Sequence, residues 1–250
     1  MKRSDLVSYL SEFLLADTFK DYAPNGLQIE GRENIDKIVT GVSACQPLID
    51  QAVVAGADAL LVHHGFFWKN EPAPLVGMKG RRIKALFQHD INLLGYHLPL
   101  DAHPLVGNNA MLAQKLAIND AEPITGVAQG LVWRGELSQS ITAADFATRI
   151  ATVLGRAPLH IGDNAQQIKT LAWCTGGAQD YIDIAVAAGV DAFITGEVSE
   201  RTFHAAMEQG ISFYAAGHHA TESYGIQALG QHLADKFGLE HQFIDIPNPV

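Results

Sequence analysis

Near the start of the chain, Leu6, Tyr9, Leu10, Phe13 and Leu14 share one helical face, and Ser4 stands where an N-cap is expected. This predicts a core-facing amphipathic helix. Asp21-Tyr-Ala-Pro24-Asn25-Gly26-Leu27-Gln28 follows, with the Pro and Asn-Gly punctuation of a tight turn. It reads as a structural turn, with the lining of a site as the alternative. Downstream the pattern alternates between short apolar runs and helical periods. Ile38 to Val42 and Ala59 to Val62 read as strands flanking a helix over Pro47 to Ala55, a βαβ unit. A helix is expected near Arg82 to His89. The segment Asn119 to Gly135, with Pro123, Gly126, Gly130 and Gly135, has the composition of a junction, which puts one boundary near residue 125 and domains at 1–125 and 126–250. Beyond it, Ser140 to Leu154 reads as helix, Ile168 to Trp173 as strand, Asp180 to Ala188 and Ser199 to Gln209 as helices, Phe213 to Ala216 as strand, and Thr221 to Phe237 as a long closing helix. Strands alternating with helices imply an α/β protein with largely parallel or mixed sheets.

The two halves repeat one another. QPLIDQAVVAGADA (residues 46 to 59) matches QDYIDIAVAAGVDA (residues 179 to 192) at nine of fourteen positions without a gap, 133 residues apart. One copy runs on into His63-His64-Gly65, the other into Gly196-Glu197. A second echo pairs the run ending in His97 and Asp101 with the run ending in His218 and Glu222, each pair four residues apart. Ligands gather beyond the carboxyl ends of parallel strands, so this duplication predicts that His63, His64, His97, Asp101, His218 and Glu222 converge on one pseudo-symmetric site.

Residues four apart on a helix face the same side, which suits His218 and Glu222 to a single ion. His97 and Asp101 have the same spacing, with Pro99 between them. Side chains alternate along a strand, so His63 and His64 are expected to point apart and to serve different ions. Asp101 and Glu222 are candidate bridging carboxylates. Imidazole and carboxylate without thiolate suit zinc, iron(II) or manganese. Glu197, the duplicate of His64, is read as orienting water or as capping a helix near Ser199. His219, turned away by adjacency to His218, is read as supporting the site from behind. His89, His103, His160, His204, His232 and His241 lack duplicated strand-end positions and read as structural or surface residues. Phe66-Phe67-Trp68 lies in an insertion that the second half largely lacks. Stacking on a planar base and packing beneath the loop are both open for it.

Composition narrows the partners. With 250 residues, 48% of them hydrophobic, the chain can bury a sizeable core, and a net charge of -10 argues against direct nucleic-acid binding. Lys79, Arg81, Arg82 and Lys84 form the main basic cluster, expected to be a solvated helix face. Cys45 and Cys174 provide neither a disulfide framework nor a thiolate metal site, which points to a reducing compartment. The opening residues lack the uninterrupted apolar core of a signal peptide, and no stretch is long enough to span a membrane. A cytoplasmic location is expected.

The segments DYAPNGLQIEG, VHHGFFWK, LPLDAHPLVGNN, WCTGGAQ, DAFITGEVSE and YAAGHHATE occur in order along essentially the whole chain. Together they resemble the YbgI-type dinuclear metal-centre proteins, the GTP cyclohydrolase I type 2 homologues of the wider NGG-interacting-factor-three-like family. The resemblance implies two divalent metal ions held by His63, His64, Asp101, His218 and Glu222, with His97 lining the site. It also implies two intertwined α/β lobes with the dinuclear site between them, assembled as a toroidal homohexamer. One reading of function is a metal-dependent hydrolase of a nucleotide or related heterocycle, with His97 or Glu197 moving protons. The other is a non-catalytic metal-binding assembly protein.

Overall fold

The computed structural model describes residues 1–250. Chain contacts divide it into two compact units, residues 1–107 with 225–247 and residues 108–224 with 248–250, where the sequence suggested one boundary near residue 125. The first contains α1 (Arg3–Phe13), β1 (Gly26–Ile29), β2 (Lys37–Ser43), α2 (Gln46–Val54), β3 (Ala59–His64), α3 (Gly77–Gln88), β4 (Asn92–Gly95) and α4 (Leu98–Ala102). The second contains α5 (Asn108–Leu116), β5 (Ile118–Pro123), β6 (Trp133–Thr142), α6 (Ala143–Leu154), β7 (Leu159–Ile161), β8 (Gln167–Trp173), α7 (Ile182–Ala187), β9 (Ala192–Thr195), α8 (Glu200–Gln209) and β10 (Ser212–Ala215). Helix α9 (His218–Phe237) begins in the second unit and ends in the first, where β11 (Glu240–Phe243) follows.

Both sheets are mixed. In the first, β11, β2, β3 and β4 run parallel and β1 closes the edge antiparallel to β4. Its faces are both covered, because alternate residues of β3 enter different cores: Ala59 and Leu61 pack with Leu6, Leu10 and Leu233, while Leu60 and Val62 pack with Ile49 and Leu86. Such two-sided burial is why β3 reads as a continuous apolar run. In the second sheet β8, β9 and β10 are parallel, flanked by antiparallel β6 and β7, with β5 outside β6. Trp173, Ile194 and Tyr214 pack there against Leu112, Phe146 and Ile150.

The duplicated aspartates explain much of the sequence match. Asp58 Oδ2 accepts the amides of Asp36 and Lys37 at 2.8 and 2.9 Å, and Asp191 Oδ2 accepts those of Lys169 and Thr170 at 2.9 and 2.8 Å. All six residues keep the 133-residue offset. Each carboxylate therefore clamps the entry of one parallel strand to the entry of its neighbour. The paired Gly56 and Gly189 stand in the left-handed region, φ +70° and +69°, which lets the chain leave α2 and α7 and turn into these strands.

Several boundaries depart from the sequence pattern. Ser4 does not cap α1: Lys2 holds that position, because Lys2 bridges to Asn34 and the Arg3 amide donates to Glu33 O at 2.7 Å, starting the helix earlier. Ser140 to Thr142 belong to β6, and α6 starts after Thr142, whose hydroxyl accepts the Asp145 amide at 3.1 Å. The supposed junction at 119–135 is mostly a β5–β6 hairpin, since Pro and Gly punctuate a turn inside a unit as readily as a linker between units. No helix is long and apolar enough to cross a membrane.

Candidate metal centre

In the first unit, β3 delivers His63 and His64, and the exit from β4 delivers His97 to the N-cap of α4. Pro99 falls in the first turn of α4, where it costs no hydrogen bond, so Asp101 is presented on a regular helical turn. His63 is buried, and its Nδ1 lies 3.0 Å from Tyr96 O. His64 Nδ1 lies 3.2 Å from Ser43 Oγ. His97 Nδ1 lies 2.9 Å from Asp21 Oδ1. Tyr96 O and the Asp21 carboxylate can only accept, so a proton on Nδ1 satisfies them and leaves Nε2 of His63 and His97 with the lone pair, whereas the Ser43 hydroxyl can serve either tautomer of His64. One ligand atom from each of these three histidines lies within 4.8 Å of the others, and His63 Nε2 stands 3.4 Å from Asp101 Oδ1.

The expectation that His63 and His64 point apart does not hold at their rings. Their centroids are 4.3 Å apart with 38° between planes. Alternation governs the Cβ directions inside a strand, but His64 is the last residue of β3, and both rings reach beyond the strand end. Of the pair four apart, His97 joins the cluster with His63 and His64, and Asp101 Oδ1 faces His63 Nε2.

The segment Asp21 to Gln28 does more than turn the chain. The buried Asp21 carboxylate takes His97 Nδ1, the Ala23 amide at 3.1 Å, the Leu98 amide at 3.1 Å and the Asn25 side-chain amide at 3.0 Å. Asn25 Oδ1 accepts the His97 amide at 2.7 Å. Burial raises the Asp21 pKa, but bonds and positive charge from His97, with those from Asn25 and Ala23, outweigh it and hold the carboxyl well below its usual range. Sequence reasoning missed Asp21 and Asn25. The Pro-Asn-Gly turn was the available signal, and its reading as a structural turn hid the tertiary contact.

In the second unit, His218 opens α9 between two carboxylates. Its Nδ1 is 2.6 Å from Glu197 Oε1 and its Nε2 is 3.0 Å from Glu222 Oε2. The four-residue spacing does bring His218 and Glu222 together. Burial pushes the His218 pKa down, while Glu222 and then Glu197 push it up more strongly, to about 9. The two carboxylates therefore favour the protonated ring. Glu197 is not the cap of α8: Ser199 and Thr202 form that box, the Ser199 amide donating to Thr202 Oγ1 at 3.3 Å.

Two adjacent glycines make room for these carboxylates. A Cβ on Gly176, where φ is +71°, would lie 2.0 Å from Glu222 Oε1, and one on Gly177 would lie 3.3 Å from the Glu197 carboxyl. Thr221 Oγ1 accepts the Gly176 amide and Thr195 Oγ1 donates to Gly176 O, which fixes the turn. The double glycine of WCTGGAQ was the sequence signal. Imidazole and carboxylate donors, each histidine held from behind, fit divalent zinc, manganese or iron, and no thiolate is in either set.

The aromatic insertion divides its labour. Phe66 is buried with the core beneath α3 and Phe67 packs against it, whereas Trp68 stands 5.7 Å from the His64 ring and 5.3 Å from the His97 ring. His103, His160, His232 and His241 are at least partly buried and structural, and burial lowers the pKa of each. His219 donates its backbone amide to Val250 O at 3.0 Å. Cys45 and Cys174 form no disulfide.

A family model described as Duf34/NIF3 (NGG1p interacting factor 3) matches residues 1–249. Proteins named GTP cyclohydrolase 1 type 2 homolog are similar over nearly the full length of both chains: 56% identity with that of Pseudomonas aeruginosa, covering 99% of this chain and 98% of the relative, and 53% with that of Escherichia coli, covering 100% of each. Among solved structures, protein ybgI, described as of unknown function, superposes with a TM-score of 0.96 at 52% identity over 100% of both chains. TTHA1606 from Thermus thermophilus superposes with a TM-score of 0.90 at 35% identity, again over 100% of both.

Proposed function

The chain belongs to the Duf34/NIF3 family, and on that premise we propose that it is a metal-dependent hydrolase of a nucleotide or related heterocycle, using two divalent ions per chain. The observation that carries this reading is the convergence of His63, His64 and His97, one ligand atom of each lying within 4.8 Å of the others while each ring is bonded through Nδ1. His63, His64 and Asp101 of the first unit and His218 and Glu222 of the second would hold the ions. The relatives' name supports a purine nucleotide as substrate. A bound divalent ion supplies Lewis-acid charge and a nucleophile at neutral pH.

The remaining steps fall to this chain's own groups. Asp21 fixes His97 in the tautomer whose Nε2 can accept a proton from the attacking water and return it to the leaving group. Glu197 is bonded to His218 Nδ1, so it would orient that ring and leave Nε2 as the atom able to hold a metal once its proton is lost to solvent. The site residues belong to a toroidal homohexamer in this proposal, so sedimentation should report six chains.

Metal analysis of the purified protein, followed by a nucleotide screen with each candidate metal, tests the proposal. Two ions per chain and turnover are expected. Glu222→Gln keeps the side chain's size and removes an anion that balances the metal, so bound metal and hydrolysis should both fall while the melting temperature changes little. Full occupancy with unchanged turnover would remove Glu222 from the site. Two bound ions with no turnover on any nucleotide would leave the non-catalytic metal-binding assembly as the function.

A further inference from the structure

Trp68 and Tyr22 are placed at odds with ordinary burial. The loop that carries Trp68 sends Phe66 into the core, yet Trp68 stays half-buried beside His64 and His97, and Tyr22 leaves 56% of its surface exposed. Their rings stand 5.7 Å apart at 30°, a tilted aromatic pair that still leaves Tyr22 largely exposed. Both meet His97 edge to face, at 4.9 Å and 72° for Tyr22 and 5.3 Å and 89° for Trp68. The two rings thus form one aromatic wall roughly perpendicular to the His97 imidazole. It is prebuilt: the Lys69 amide donates to Tyr22 O at 2.8 Å, joining the two segments, and Tyr22 directly follows Asp21, which is anchored to His97.

We infer that this wall is the substrate-recognition surface, on which a planar aromatic heterocycle stacks with its edge turned toward His64 and His97. The inference rests on the hydrolase reading for its site and adds the feature that selects the substrate. A flat ring laid on Trp68 would cover apolar surface now facing solvent and gain π-stacking, which discriminates flat heterocycles from sugars or aliphatic esters of similar size. Selection of this kind tolerates different ring edges. Discrimination among bases is therefore left to the polar groups that the edge meets.

The chain offers its own reporter. Of its three tryptophans, Trp133 and Trp173 are 3% and 0% exposed, so added quenchers and ligands act on Trp68. Titration of metal-free and metal-loaded protein with guanosine 5′-monophosphate should quench tryptophan emission and shield it from iodide. Ribose 5-phosphate should do neither. Tyr22→Leu should weaken the guanosine 5′-monophosphate response about tenfold, and Trp68→Leu should raise KM by about the same factor with kcat and bound metal little changed, while Trp68→Phe restores most of the loss. Quenching without turnover on any nucleotide would keep the wall and remove the hydrolase reading. Turnover with an unaltered KM in both Trp68→Leu and Tyr22→Leu would remove the wall and keep the hydrolase. Equal responses to guanosine 5′-monophosphate and ribose 5-phosphate would also overturn the inference.

Discussion

Asp21 shows how much one side chain can organise: it fixes a histidine tautomer, two amides and the Asn25 side chain together. Asp21→Asn places an amide where a carboxylate now faces His97, so the ring loses its orientation. Metal affinity, measured by competition with a chromophoric chelator, should fall about ten- to a hundredfold. The acid behaviour also changes. The folded Asp21 pKa is depressed, so its contribution to stability is present above the ordinary carboxyl range and lost as pH falls through the depressed value, and the Asn variant should lack this component of acid unfolding. His218 has the opposite sign. Its raised pKa gives the metal-free protein stability that is complete below the ordinary imidazole range and disappears as pH rises through about 9. Metal must displace that proton. Affinity at this ligand set should therefore climb with pH and level off above about 9, with proton release detectable in a weakly buffered titration.

Elements follow local chemistry where no tertiary contact overrides it. Thr142 caps α6 through the Asp145 amide, so Thr142→Ala should cost about 1 kcal/mol in urea unfolding. Ser4→Ala should stay within about 0.5 kcal/mol, because Ser4 lies inside α1 and its hydroxyl reaches only Asp5. The same contrast sets what the sequence disclosed. The strands β2, β3, β8, β9 and β10 were legible because burial on both faces makes continuous apolar runs, and His63, His64, His97, His218 and Glu222 were legible because they follow those runs or begin the next helix. Asp21, Asn25 and the Gly176-Gly177 turn were not. They act on residues distant in sequence, and nothing in an Asn-Gly turn or a double glycine states which side chain will approach it.

At the scale of the molecule, a net charge of -10 argues against tracking phosphates, and Lys79 of the basic cluster is already engaged with Glu71 and the Phe67 ring. Binding to duplex DNA at physiological salt should be weaker than micromolar by anisotropy, and a submicromolar affinity that collapses with added salt would contradict this. The aspartate clamps carry a different lesson. Asp58 and Asp191 address backbone amides, which every residue but proline supplies, so the clamped positions were at liberty to drift to Asp36-Lys37 in one half and Lys169-Thr170 in the other. A duplicated gene that preserves its architecture in this way can let chemistry diverge at the strand ends. His64 in one copy and Glu197 in the other occupy the same inherited place, one turned to its cluster of imidazoles and the other to a single histidine.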